Sequence, residues 1–326
     1  MSTIKSGTFF LLVSLLAACA PAATLPIPPT ATARFVTLTP TSTSIPPSVT
    51  FTPRIPTQTP TATPKVCDPH AADYCITDDH LVFQRPIKTP ANTSVDETYP
   101  YASTANGTRD PHHGVEFLNK YGTPVYAAAD GVIVFAGPDQ KAVYSPWPDY
   151  YGNVVVLKHA DNLYTLYAHL SKITVEAGNN IFAGEQLGEV GQTGVAIGSH
   201  LHFEVRRGNV EDYFSTQNPE LWLIPNQNEI GQLFGVLQIS VVNKDNHLVK
   251  RAEYTIQYFV GLNQPTDQIY YGVTYSADML NGEENAGIGD LRPGKYRIAL
   301  QHNGQLLERW VEVESGKLTQ VVIIVK

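Results

Sequence analysis

Positive charge is in short supply: 22 lysines and arginines stand against 30 aspartates and glutamates, a formal net charge of −8. A chain without a basic excess lacks the means to neutralise phosphates, so nucleic acid is not an expected partner. Cysteine is scarcer still, with three residues, Cys19, Cys67 and Cys75. Nor is there an apolar run of ~20 residues that would cross a bilayer as a helix, or an amphipathic stretch long enough to insist on a helix. At 326 residues the chain still has room for two ordinary domains, at least one with a sizeable core, plus non-globular segments.

What is present begins with Lys5, the apolar run Phe9–Leu16 and then Ala17-Ala18-Cys19. That run is too short for a mature spanning helix, whereas small residues before a cysteine suit a signal peptidase and a lipid-transferring enzyme. Residues 1–18 therefore read as a lipoprotein signal peptide and Cys19 as the lipidated first residue of the mature chain. The protein is then expected outside the cytoplasm, anchored to a bacterial cell membrane through its N-terminal lipid. Cys67 and Cys75 remain as a close pair in an exported chain, and a disulfide between them is expected. Between Pro21 and Pro64 threonine, proline, alanine and serine dominate. Such a segment buries too little apolar surface to offset ordering entropy, so residues 19–66 read as a disordered, extended stalk behind the lipidated cysteine.

The texture changes after Cys67. Short β-rich runs separated by glycine turns, at 124–128, 131–136, 153–159, 164–169, 186–190 and 201–206, predict an all-β domain over 67–224. A central antiparallel sheet or barrel-like fold suits that spacing. The stretch 138–150, with Pro146, Trp147 and Pro148, interrupts the rhythm and reads as an inserted loop. A boundary falls near 225–231. Beyond it, runs at 234–242, 252–259, 270–275, 294–301, 308–313 and 320–325 alternate apolar with polar residues and predict a C-terminal β-sandwich over 231–326. That region has no histidine pair, calcium-spaced acidic loop or obvious aromatic platform, and reads as a spacer or binding accessory.

Ten histidines are scattered along the chain, and their company decides which matter. In Ser199-His200-Leu201-His202-Phe203, strand alternation turns His200 and His202 to one side and Leu201 and Phe203 to the core. His112-His113-Gly114-Val115-Glu116 supplies an imidazole and a carboxylate four apart, around a glycine that permits a bent backbone. With one imidazole from the other segment these make the three nitrogen and oxygen donors of a catalytic zinc site, which keeps one position open. Spacing does not decide between His112 and His113. A third segment, Tyr167-Ala168-His169-Leu170, puts Tyr167 and His169 on one strand face, the tyrosine either lining a substrate groove or filling a half-buried strand. Glu204 continues the face of His200 and His202, where it would orient a histidine or pair with Arg206. His159 reads as strand-end structure.

Together these segments resemble the H-x-G-x-D, Y-x-H-L and H-x-H signatures of the lysostaphin/LytM-type zinc endopeptidases. The likeness runs from Asp110 to Arg207, through Gly122–Val125, Ala129–Gly131 and Gly191–Gly194 in the same order. It implies a peptidoglycan DD-metalloendopeptidase of duplicated-hybrid-motif fold, acting on stem or bridge peptides during cell-wall remodelling. It also implies Zn2+ held by His112, Glu116 and His202, with His169 and His200 as the catalytic histidines that handle protons. Glu116 stands where the family has aspartate, and its extra methylene has to be absorbed by a small backbone shift. The alternative implied by that departure is a metal-free pseudoenzyme that regulates or binds other wall hydrolases. The stretch Gly289–Tyr296 resembles the transthyretin-like, carboxypeptidase-regulatory sandwich, which implies a fold and no function.

Overall fold

The computed structural model describes residues 67–326 apart from 79, 106, 262–263, 277–278, 280–281 and 283. The expected signal peptide, the expected lipid site Cys19 and the stalk lie outside the described residues. In chain order come β1 (Cys75–Thr77), β2 (Val115–Leu118), β3 (Pro124–Tyr126), β4 (Gly131–Pro138), β5 (Asn153–Lys158) and β6 (Leu163–Ala168). Next are β7 (Lys172–Ile173), β8 (Asn180–Ile181), β9 (Gln186–Glu189), β10 (His200–Arg207) and β11 (Thr216–Gln217). The C-terminal set is β12 (Gly235–Val242), β13 (Glu253–Val260), β14 (Gln264–Val273), β15 (Ala286–Leu291), β16 (Gly294–His302), β17 (Gln305–Val313) and β18 (Leu318–Ile324). The fold is all-β, as the sequence predicts.

Runs such as NVVVLK in β5 and HLHFEVRR in β10 are buried along most of their length. β-Branched and aromatic side chains pack well on both faces of a pleated sheet, which suits such strands to central places. The main sheet has the order β11-β10-β6-β5-β4-β8, and β2 also pairs with β10. β2 lies along His200–Phe203 and β11 along Val205–Arg206, so the two pair with successive parts of β10. All these pairings are antiparallel. Val155, Leu157, Tyr167, Leu201, Phe203 and Val205 belong to the large core, which Val125 of β3 and Leu187 of β9 join. Val154, Val156, Leu166 and Ala168, at the alternate positions, form a smaller core with Tyr144, Tyr151 and Tyr213. Tyr144 comes from the segment 138–150, which has no strand after Pro138 and contributes to that second core.

Two four-stranded sheets, β1-β18-β12-β15 and β14-β13-β16-β17, make the C-terminal sandwich. Leu237, Ile239, Val241, Val321 and Ile323 of the first share a core with Ile256, Ile298, Leu300, Val311 and Val313 of the second. β12 and β18 run parallel. β1, far away in sequence, pairs with β18, and Cys75 at its start is disulfide-bonded to Cys67. Leu318 and Val236 reach into the large core, so the sandwich packs directly on the sheet that carries the histidines. Within the stretch Gly289–Tyr296, residues 289–291 are the end of β15 and the chain then turns into β16. Gly287 and Gly289 interrupt the alternation that would reveal β15. A Cβ on Gly287 would meet Leu221 Cδ2 at 2.7 Å, so glycine is what lets the Pro219–Leu221 turn approach.

Candidate metal centre

The antiparallel register of β2 and β10 sets Glu116 directly opposite His202. Alternation along β10 puts His200 and Glu204 on the same face, while Leu201 and Phe203 are fully buried on the other. His112 arrives from the segment just before β2. Between them, Gly114 packs so closely that a Cβ there would lie 2.5 Å from Phe203 O and 2.8 Å from the His202 ring. His169 follows β6 with φ 61°, a left-handed conformation uncommon for a non-glycine residue and of the kind that clusters at functional sites. That turn breaks the alternation of β6. Tyr167 is consequently fully buried in the large core, its hydroxyl accepting from Ala128 N at 2.8 Å, and it lines no groove.

Among the described residues, His112, Glu116 and His202 form a buried cluster able to hold a metal ion. His112 Nε2 is 3.0 Å from Glu116 Oε1 and 3.2 Å from His202 Nδ1, and His202 Nδ1 is 3.1 Å from Glu116 Oε1. A tetrahedral site with bonds of about 2.0 Å has donor–donor edges of about 3.3 Å. The triangle is therefore close to the size zinc requires. The second Glu116 oxygen, buried and with no aligned hydrogen-bond donor, lies 2.8 Å from His200 Nε2. The His169 and His200 rings complete the group, with centroids 4.9 Å apart, and the His169 ring is 5.7 Å from that of His202.

The outer contacts of each ring fix what it presents to the centre. His112 Nδ1–H donates to Tyr99 O at 2.9 Å, His169 Nδ1–H to Thr193 O at 2.8 Å and His200 Nδ1–H to Gly198 O at 3.2 Å. A carbonyl oxygen only accepts, so these rings carry the proton on Nδ1 and turn Nε2 inward. His202 is reversed: its Nε2–H donates to Glu204 Oε1 at 3.0 Å, and Nδ1 faces the cluster. Two nitrogen lone pairs and a carboxylate oxygen then converge within 3.2 Å, which requires a cation or a proton among them. Burial opposes charge on His202, yet Glu116 and Glu204 raise it to about 9, the proton's version of that requirement. Burial also opposes ionisation of Glu116, but His202, His112 and His200 hold it well below the usual carboxylate range. Burial lowers His112, and it pushes His169 down to about 3 with help from His202 and His200. The donor set and its spacing fit zinc, Glu116 included.

Two further histidines of this domain, His113 and His159, serve structure. His113 is buried against Tyr213, ring centroids 3.7 Å apart, with Nδ1 3.2 Å from Thr216 Oγ1. His159 bridges Asp130 O at 2.8 Å and Thr165 Oγ1 at 2.7 Å. Two contributors escape the sequence reading. Tyr99 stacks on His112 at 4.1 Å and supplies the carbonyl that orients it. Tyr151 donates its hydroxyl proton to Glu204 at 2.6 Å. Only the β-face of Glu204 pointed that way.

Residues 110–213 match peptidase family M23. Over 95 residues, 29% of this chain, the sequence is 45% identical to the DD-carboxypeptidase/endopeptidase Mpg of Neisseria meningitidis and 40% identical to the peptidoglycan DD-endopeptidase ShyA of Vibrio cholerae. The aligned part spans 20% of the length of each of these relatives. The catalytic domain of lysostaphin from Staphylococcus simulans is 35% identical, with 37% of this chain and 83% of that one covered, at a TM-score of 0.31. The cluster His112, Glu116, His202 lies inside the matched residues, and this part of the chain is a peptidase M23 domain.

Proposed function

We propose that the protein is a zinc-dependent endopeptidase that hydrolyses peptide cross-links of peptidoglycan during cell-wall remodelling, held at the outer face of a bacterial membrane by lipid on Cys19. The observation that carries this reading is the convergence of His112 Nε2, Glu116 Oε1 and His202 Nδ1 within 3.2 Å, beside two further imidazoles. Zinc held by these three residues would supply Lewis acidity toward a peptide carbonyl and toward water. The chain's own residues supply the rest. With its Nδ1 proton committed to Thr193 O, His169 offers Nε2 as the proton acceptor for the attacking water. His200, its Nδ1 proton committed to Gly198 O, would serve in its imidazolium form, a second proton on Nε2 stabilising charge on the substrate oxygen or passing to the leaving amine. The carbonyls of Tyr99 and Thr193 accept the Nδ1 protons of His112 and His169 and so turn the Nε2 nitrogens of those two rings toward the cluster. The metal-free regulator reading has no observation in its favour, since four of the five polar groups are those of the resemblance, the fifth is another carboxylate, and all five are assembled. Digestion of purified peptidoglycan tests the proposal: release of cross-link fragments that stops with chelator supports it, and the absence of release from a folded, zinc-loaded chain refutes it.

A further inference from the structure

Behind His202, away from the cluster, Glu204 and Arg206 are fully buried, each 0% exposed. Replacing a buried ion pair by apolar side chains of similar shape is often neutral or stabilising, so stability alone does not explain the pair. Its wiring does. Arg206 can only donate: Nε gives to Glu204 Oε2 at 2.7 Å, one terminal nitrogen to Val210 O at 2.7 Å, and the other to Tyr144 O at 2.8 Å and Tyr151 Oη at 2.9 Å. Because Tyr151 accepts from Arg206, its own proton goes to Glu204 Oε1, at 2.6 Å. His202 Nε2 approaches the same oxygen at 3.0 Å. Both oxygens of Glu204 are thus surrounded by donors.

Resting on the zinc-site reading above, we propose that Glu204 and Arg206 are positioning residues that fix the donor–acceptor polarity behind His202, so that its proton stays on Nε2 and its Nδ1 lone pair faces the metal. Arg206 anchors the order: it demands an acceptor, and an acceptor-only carboxylate then faces His202 too. A glutamine at position 204 has the same shape but cannot satisfy both sides. Its carbonyl has to face Arg206, which turns the amide NH2 toward His202 Nε2 and Tyr151 Oη. His202 must then accept at Nε2 and carry its proton on Nδ1, where the metal would bind. If Arg206 is also removed, the amide is free to rotate, present its carbonyl to His202 and restore the original tautomer.

The experiment is zinc affinity of the full chain, by competition with a chromophoric chelator, for wild type, E204Q and the double variant E204Q/R206M, with circular dichroism confirming the fold. Outer partners of metal-bound histidines are typically worth about 10–100-fold in affinity. E204Q is expected to lose at least that much, and E204Q/R206M to return to within about tenfold of wild type. Wild-type affinity in E204Q overturns the proposal, and so does a folded double variant that binds no better than E204Q, which would make the pair ordinary structural support. Should E204Q not fold, the double variant still decides, since it buries neither charge and must bind zinc. Failure of the wild-type chain to bind zinc instead removes the zinc-site reading itself.

Discussion

Gly114→Ala perturbs the centre without touching a donor atom. A Cβ at this position would lie 2.5 Å from Phe203 O and 2.8 Å from His202 Cε1 and Nε2, against 3.4 Å or more for an ordinary contact. The shortfall of about 0.9 Å at Phe203 cannot be taken up by a side chain, because the obstacle is backbone. That backbone is held on both edges, Phe203 standing opposite Val115 of β2 and Tyr167 of β6. Either β2 moves away from β10 or the His202 ring swings. Each disturbs the spacing of His112, Glu116 and His202, for which metal sites tolerate only about 0.2 Å in bond length. Overpacking of this kind costs about 1–3 kcal/mol, and each kcal/mol lowers the melting temperature by about 2–4 °C in a domain of this size. Thermal melts of the metal-free chain should show that drop, and zinc titration should show affinity reduced at least tenfold. Unchanged melting temperature together with unchanged zinc affinity would refute the packing argument.

Three further outcomes are expected. His169→Ala should keep zinc stoichiometry while lowering turnover of peptidoglycan fragments by about 10²–10⁴-fold, the usual contribution of a positioned acid or base; full activity with zinc bound would remove His169 from the chemistry. Tyr151→Phe deprives both Glu204 Oε1 and Arg206 of a hydrogen-bond partner, and chemical denaturation should register a loss of about 1–3 kcal/mol. Burial, with Asp290 adding to it against a bond from Gly289 N, pushes Glu220 up to about 7 from an ordinary 4.5. The folded protein then binds more protons than the unfolded chain between those values, so this group's stabilisation is complete below pH 4.5 and is lost as pH rises toward 7. Glu220→Gln should flatten that fall in denaturation midpoints measured between pH 5 and 7, and identical pH profiles for the two proteins would contradict the assignment.

Much of this architecture is legible in the residues. β5 and β10 are long runs of β-formers, and period-two alternation alone brings His200 and His202 to one side with Leu201 and Phe203 beneath. The approach of Glu116 is less direct, since it depends on β2 choosing β10 as its neighbour in a register that pairs Glu116 with His202. Orientation of the rings is not legible at all. It comes from the carbonyls of Tyr99, Thr193 and Gly198, and backbone carbonyls carry no residue identity. Tyr167 takes the second of its two readings, a strand side chain in the core; what fails is the face it would share with His169, because alternation is extended one residue too far, across the positive φ of His169. The pairing of β1 with β18 joins chain segments more than two hundred residues apart, a distance over which local pattern is silent.

Zinc content of the purified full chain, measured alongside peptidoglycan digestion with and without chelator, tests the central claim most directly. The geometry at His112, Glu116 and His202 predicts about one zinc per chain and cross-link fragments whose release stops when the metal is removed. A folded chain that takes up no zinc and releases no fragments would contradict it.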